Sequence, residues 1–302
     1  MKRKTVKGAF YHTYKITSDG GVLFYRTIDH LVYYSMQSVM SRRHHLRVLL
    51  TTHMFTHVHE LDVPEDIVQL SAYHRDLSAM FARVYNAETR RCGPLFDRRF
   101  GCAPKWGEKA QRSCAVYVMN NPVEKKLVRR AEEDRWTFLA YYEKEYPFSS
   151  RPTIRRSRKI LVDAIHRVEH EYRAGRYLGY GLLFHFFSLM TAPEREQLTD
   201  YIIQRYFFQD RKACYDLFGG YDRMLGAAEV SRGSEYDIKE EYGWASDIPF
   251  REMCSIAGKY GILDQGMPMF HLPDARLDKL ALLFQNTTSA SDQQISRFIH
   301  RL

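Results

Sequence analysis

The sequence predicts an α+β chain, with an antiparallel sheet and its helices in the first half and an all-helical second half. Segments that alternate apolar and polar residues recur at 11–17, 46–52, 56–63 and 95–103, the period-two pattern of half-buried strands. Longer segments of helical period lie between them, and beyond residue 150 the helical period stands alone. The composition, 45% hydrophobic and 27% charged over 302 residues, suits one large core or two ordinary ones.

The first strand, 11–17, ends at Ser18-Asp19-Gly20-Gly21, a turn signal. Asp29 is placed to cap a helix whose apolar positions are Leu31, Val32, Met36, Val39 and Met40. Strands at 46–52 and 56–63 follow. Pro64-Glu65-Asp66 then opens a long helix with acidic residues in its first turn and a stripe of Ile67, Leu70, Leu77, Phe81 and Val84. Cys92-Gly93-Pro94 breaks the chain before a fourth strand at 95–103, and a helix is expected over 109–121. Pro122 disfavours helical geometry at the residue before it, which puts Asn121 at the helix end. The order β-α-β-β-α-β is that of a ferredoxin-like layer with one added helix.

Residues 146–152, Tyr-Pro-Phe-Ser-Ser-Arg-Pro, read as a connection, dividing the chain into 1–148 and a helical 149–302. In the second part Ile160, Leu161, Ala164, Ile165 and Val168 form one stripe, and Thr191 with Glu194 makes a capping box. The acidic run 229–247 reads as a loop. Two short helices over 275–300, the second opened by Ser291 and Gln294, suit a helix-turn-helix with Gln293, Gln294 and Arg297 toward a groove. A helical hairpin that merely packs fits the same pattern.

The net charge is +9 and unevenly spread: residues 1–150 carry 24 Lys+Arg against 16 Asp+Glu, residues 151–302 carry 21 against 20. A polyanion-binding first half is the expectation. Cys92, Cys102, Cys114, Cys214 and Cys254 include no CxxC pair, which argues against a disulfide scaffold or thiolate zinc site and for a reducing compartment. Residues 5–14 form no apolar run and 181–190 is too short to span a bilayer, so a cytoplasmic protein without membrane contact is expected. P-loops, glycine-rich nucleotide motifs and a Ser/His/Asp order are absent from the sequence.

The chemistry-bearing motif is Thr56-His57-Val58-His59. On a strand, positions i and i+2 face one way, so two imidazoles can grip one cation. About sixty residues on, Tyr117 and Asn121 are four apart, on one helical face. Ser113, Tyr117 and Asn121 make one stripe, and Ala110, Cys114, Ala115, Val118 and Met119 an apolar one, so Tyr117 is expected to look away from the core. His53 is out of phase with the pair.

Residues 10 to about 130 resemble the single-tyrosine HUH transposases, the REP-associated branch in particular. The resemblance rests on the Tyr11-His12 strand, Thr56-His57-Val58-His59, the run Gly93-Pro94-Leu95-Phe96-Asp97-Arg98-Arg99-Phe100 and the tyrosine helix running into Asn121-Pro122-Val123. It implies that His57 and His59 bind a divalent metal, Mg²⁺ or Mn²⁺, with Asn121 as third ligand, and that Tyr117 is the nucleophile. The family usually carries Asn where Thr56 stands, so altered hydrogen bonding is expected there.

The activity so implied is metal-dependent cleavage and transfer of single-stranded or hairpin DNA through a 5′-phosphotyrosine, that is, a transposase of DNA recombination acting as a monomer or homodimer. Arg42, Arg43, Arg98, Arg99, Lys105, Lys125 and Lys126 are candidate DNA-backbone contacts, with Phe96 or Phe100 as stacking platforms. Two alternatives use the same fold: a DNA-binding regulator that has lost the chemistry, and a replication-initiation nuclease.

Overall fold

A computed structural model describes residues 5–97, 99–231, 246–263, 270 and 272–300. Four strands, β1 (Phe10–Ile16), β2 (Arg47–His53), β3 (His57–Val63) and β4 (Gly101–Lys105), form one antiparallel sheet in the order β2-β3-β1-β4. With α1 (Thr27–Arg43) and α2 (Ile67–Thr89) after the first and third strands, this is the expected ferredoxin-like order. The added helix is α3 (Glu108–Glu124), which follows the last strand.

Strand alternation divides the buried residues between the two faces of the sheet. Tyr11, Val48 and Val58 join Leu31, Met36, Leu77 and Phe81 in the core against α1 and α2. Leu50 and Leu61 join Cys114, Ala115 and Val118 in a second core against α3. A register shift between Val48 and Leu50 adds Leu49 to that second face. The Leu49 carbonyl accepts from the Tyr142 hydroxyl at 2.6 Å.

Several helix ends follow the sequence signals. Asp66 caps α2, its carboxylate accepting from the Val68 and Gln69 amides at 2.9 and 2.7 Å. Asp29 sits one turn deeper than expected. Arg26 is the cap residue, and the Asp29 carboxylate reaches back to the Tyr25 and Arg26 amides at 3.0 and 2.9 Å.

Two boundaries differ from the sequence expectation. The fourth strand begins at Gly101 instead of near Leu95. Leu95, Phe96 and Phe100 all turn into the α1/α2 core, a demand period-two alternation cannot meet, and Phe96 makes only an isolated bridge to Thr17. The other is α3, which runs through Pro122 to Glu124. Proline lacks the N–H that would bond the carbonyl four residues back. Here that carbonyl, on Val118, accepts from the Thr52 hydroxyl at 2.8 Å, and the helix continues.

In the second half, α4 (Lys159–Arg173), α5 (Tyr180–Leu189) and α6 (Ala192–Arg205) pack together, with α5 and α6 against α1. Their stripe of Leu161, Ala164, Ile165 and Val168 belongs to the same apolar cluster as Leu31 and Phe81, so this core runs across residue 148. The Thr191/Glu194 capping box is present at the start of α6. Next, α7 (Arg211–Phe218) and α8 (Tyr221–Val230) cover α3. Finally α9 (Ile248–Lys259), α10 (Asp274–Thr287) and α11 (Asp292–Phe298) close over Val22 and Tyr25.

Most of the acidic run 229–247 lies outside the described residues. Of the three expected groove contacts, Gln293 is exposed. Gln294 is 5% and Arg297 9% exposed, and they donate to the Ser246 and Gly20 carbonyls at 3.0 Å each. Those two side chains anchor α11 to the molecule and do not project from it. Among the described residues no helix is long and apolar enough to cross a membrane.

Candidate active site

Antiparallel register brings side chains from three strands to the α3 face. His59 on β3 lies opposite Tyr14 on β1 and Thr52 on β2, His57 lies opposite Ile16, and His12 is opposite Leu61. His57 and His59 therefore share one face, as period two requires, with ring centroids 4.7 Å apart and planes at 87°. His53 faces the other way, stacked on Phe24 at 5.0 Å, in agreement with its being out of phase.

Each histidine of the pair commits Nδ1 to a neighbour. His57 Nδ1 is 2.9 Å from Thr56 Oγ1 and His59 Nδ1 is 3.0 Å from His12 Nε2. When these Nδ1–H groups donate, the lone pair of each ring resides on Nε2, the tautomer a metal-binding histidine uses. Thr56 thus supplies a hydroxyl acceptor directly to the first histidine. His12 is the residue that sequence reasoning assigned no role; it lies 45 positions from His57, and only the β1–β3 pairing makes them neighbours.

Tyr117 comes from α3. Its ring stands edge-on to His12 and His59, with centroids 5.4 and 5.5 Å away. Contrary to expectation it does not look away from the core: it is 7% exposed. The reason is that α3 lies between the sheet and the helices α7 and α8, so residues 114–122 are buried all round while Ser113 stays exposed. Asn121, one turn on, is also buried and donates its amide nitrogen to the Tyr117 carbonyl at 2.9 Å. The atom it can offer a cation is Oδ1. Two imidazole nitrogens and one amide oxygen are a donor set suited to Mn²⁺ and acceptable to Mg²⁺.

Tyr14 is a second tyrosine beside the pair, 6.2 Å from His59 and 5.8 Å from His12 by ring centroids. Its ring lies over Gly101 on the neighbouring strand. A Cβ there would be 2.0 Å from Tyr14 Cε1 and Cζ, so the glycine gives the ring its place.

The candidate DNA contacts are dispersed. Arg42 and Arg43 end α1 beside the start of β2, at the end of the sheet away from His57, with Arg42 stacked 4.6 Å over Tyr172. Lys105 pairs with Phe10, four positions along β4 from the level of His59. Lys125 and Lys126 directly follow α3, just beyond Asn121, and Arg99 is exposed next to β4. Arg98 lies outside the described residues. Phe96 and Phe100 are 7% and 8% exposed and serve the core, not a stacking surface.

The opposite face of β3 carries Glu60 and Asp62, joined by His74 from α2. One potential ligand atom from each of the three lies within 4.8 Å of the others. Burial and the neighbouring carboxylate push Glu60 up to about 7, and burial pushes Asp62 to about 7. Farther along the same face, burial holds the His53 imidazole down at about 3 and its partner His30 well below the usual histidine range.

No protein-family description and no curated protein matches the chain. Among solved structures it is similar to a REP-associated tyrosine transposase bound to a REP hairpin, at 16% identity and a TM-score of 0.39, over 45% of this chain and 79% of that one. The likeness is a distant structural one.

Proposed function

We propose that the protein is a metal-dependent DNA strand transferase that cuts single-stranded DNA beside a hairpin through a covalent tyrosine intermediate. The observation that carries this reading is that Tyr117 stands edge-on to His59 at 5.5 Å, with His57 beside His59 on the same face of the sheet; Asn121, one helical turn on from Tyr117, is proposed as the third ligand. The excess of basic residues in the first 150 positions and the sequence resemblance to single-tyrosine HUH transposases support it.

A divalent cation held by His57, His59 and Asn121 supplies Lewis acidity to the scissile phosphate when bound. Tyr117 Oη attacks the phosphorus, the P–O3′ bond breaks, and the phenolic proton ends on the departing 3′-hydroxyl. The phosphodiester is retained between Tyr117 and the 5′ end of the downstream strand. Reversal with another 3′-hydroxyl rejoins DNA without ATP. A free phenol titrates near 10, so proton loss has to accompany attack. Hydrogen bonds from the two imidazoles to Thr56 Oγ1 and His12 Nε2 hold the rings in one orientation. Lys125 and Lys126, four and five positions after Asn121, are proposed contacts for the DNA backbone.

The test is covalent capture. With Mn²⁺ or Mg²⁺ and a hairpin oligonucleotide carrying a single-stranded flank, a denaturation-resistant protein–DNA adduct should form, and Tyr117→Phe should abolish it while leaving binding intact. An adduct that persists in Tyr117→Phe overturns the assignment. Salt-sensitive binding with no adduct under either metal would instead identify a regulator that keeps the fold without the chemistry.

A further inference from the structure

We propose that Glu60, Asp62 and His74 form a second, structural metal site for a divalent transition ion of the Zn²⁺ kind, on the face of β3 opposite His57 and His59.

Alternation turns Glu60 and Asp62 away from the histidine pair and into the core beneath α1 and α2, where they are 2% and 0% exposed. Two carboxylates in such a place need compensation, because a buried charge without a counter-charge is strongly disfavoured. The ion pairs they make are with His74, whose Nε2 lies 3.3 Å from Asp62 Oδ2 and 3.9 Å from Glu60 Oε2. One imidazolium cannot neutralise both. A dication with neutral His74 does, and leaves the group at zero net charge.

The oxygens themselves point the same way. Glu60 Oε1 accepts from Gln37 Nε2 and from the Tyr73 hydroxyl, and Asp62 Oδ2 accepts from the Thr13 hydroxyl at 2.6 Å. These are the outer hydrogen bonds that orient ligating carboxylates. Glu60 Oε2 and Asp62 Oδ1, by contrast, are buried without a hydrogen bond, a costly state for a carboxylate oxygen. Tetrahedral zinc with bonds of about 2.0–2.1 Å sets its donors about 3.3–3.4 Å apart. His74 Nε2 stands 3.3 Å from Asp62 Oδ2, the oxygen that also accepts from Thr13, and 3.9 Å from Glu60 Oε2. With one ligand atom from each residue within 4.8 Å of the others, the three have to draw in by up to about 1.4 Å to reach tetrahedral zinc spacing. His74 itself is fixed by stacking on Phe100 at 4.2 Å.

Such a site would tie β3 to α2 directly behind the strand that carries the histidine pair, since Glu60 is the residue after His59. It does not depend on the strand-transfer reading, and its test removes the histidine pair first. The His57→Ala/His59→Ala chain, stripped with chelator, reloaded with Zn²⁺ alone and freed of excess, should retain one zinc per chain and melt at a higher temperature than its stripped form. Adding Glu60→Gln and Asp62→Asn should eliminate both effects. Zinc missing from the His57→Ala/His59→Ala chain, or retained equally after the carboxylate changes, overturns the proposal. Co²⁺ in the same background gives a reading that needs no change at the site: visible bands of a four-coordinate ion are expected, and their absence also overturns it.

Discussion

The Thr52 hydroxyl donates to the Val118 carbonyl at 2.8 Å, taking the place of the N–H that Pro122 lacks. A strand side chain thereby completes a helix, and Thr52 lies opposite His59 in the sheet, so the same contact ties the tyrosine helix to the histidine strand. Thr52→Val keeps the shape and removes the donor. It should cost about 1–3 kcal/mol, the penalty for a buried carbonyl left without a partner. Pro122→Ala restores an N–H for that carbonyl, so Thr52→Val should cost much less in that background. A double-mutant cycle by urea denaturation measures the coupling. Additive effects would mean that Thr52 does not substitute for the missing amide.

In the tautomer that leaves the lone pair on His59 Nε2, His12 Nε2 accepts from His59 Nδ1–H, and its ring touches Tyr117 edge-on, so it acts as a positioning residue. His12→Phe preserves the ring contact and removes the acceptor. Loss of such an outer partner typically costs 10–100-fold in metal affinity. The Mn²⁺ concentration for half-maximal adduct should rise by about that factor, with the plateau regained at high Mn²⁺. A lowered plateau at an unchanged midpoint would assign His12 to something other than orienting the ligand.

How much of this could be read from the sequence differs by residue, for physical reasons. The facing of His57 and His59 was legible because strand alternation is local. The order β-α-β-β-α-β was legible because helix and strand periods differ over segments this long. His12 had no role because nothing local says that the first and third strands are neighbours. Tyr117 was expected to look outward because its own helix has a polar stripe, but α7 and α8, more than ninety residues on, cover that side. Phe96 and Phe100 fit either a stacking platform or a core, and composition cannot separate the two. The passage of α3 through Pro122 depends on a hydroxyl seventy positions earlier.

Tyr14 and Gly101 share one space across β1 and β4. Gly101→Ala places a methyl where the Tyr14 ring lies, and overpacking of this sort costs about 1–3 kcal/mol. Tyr14→Ala in the same chain should recover most of the loss, as seen by thermal melting. Tyr14→Phe keeps the ring and should leave adduct formation intact, in contrast to Tyr117→Phe. An adduct lost in Tyr14→Phe and kept in Tyr117→Phe would transfer the nucleophile to β1.

His30 and His53 set an acid limit on stability. His53 Nε2 lies 2.7 Å from Gln37 Oε1, which can only accept, so Nε2 carries the proton and His53 Nδ1 accepts from His30 Nδ1–H at 3.4 Å. His30 stacks on Trp136 at 3.9 Å and His53 on Phe24 at 5.0 Å, and both rings are buried. Burial depresses both folded pKa values below the ordinary 6.5. The sign follows from linkage: in acid the unfolded chain binds these protons first, so the stabilisation is complete above about 6.5 and drains away as pH falls, for His53 toward about 3. An imidazole that is protonated in the unfolded chain and neutral in the folded one contributes at most about 1.4 kcal/mol per pH unit. His30→Phe retains the stack and removes one titrating group. Below about pH 6 the parent chain should therefore lose stability faster than this variant as pH falls, by at most about 1.4 kcal/mol per unit, read from urea denaturation at successive pH values. Parallel slopes would show that His30 already carries its proton in the folded chain.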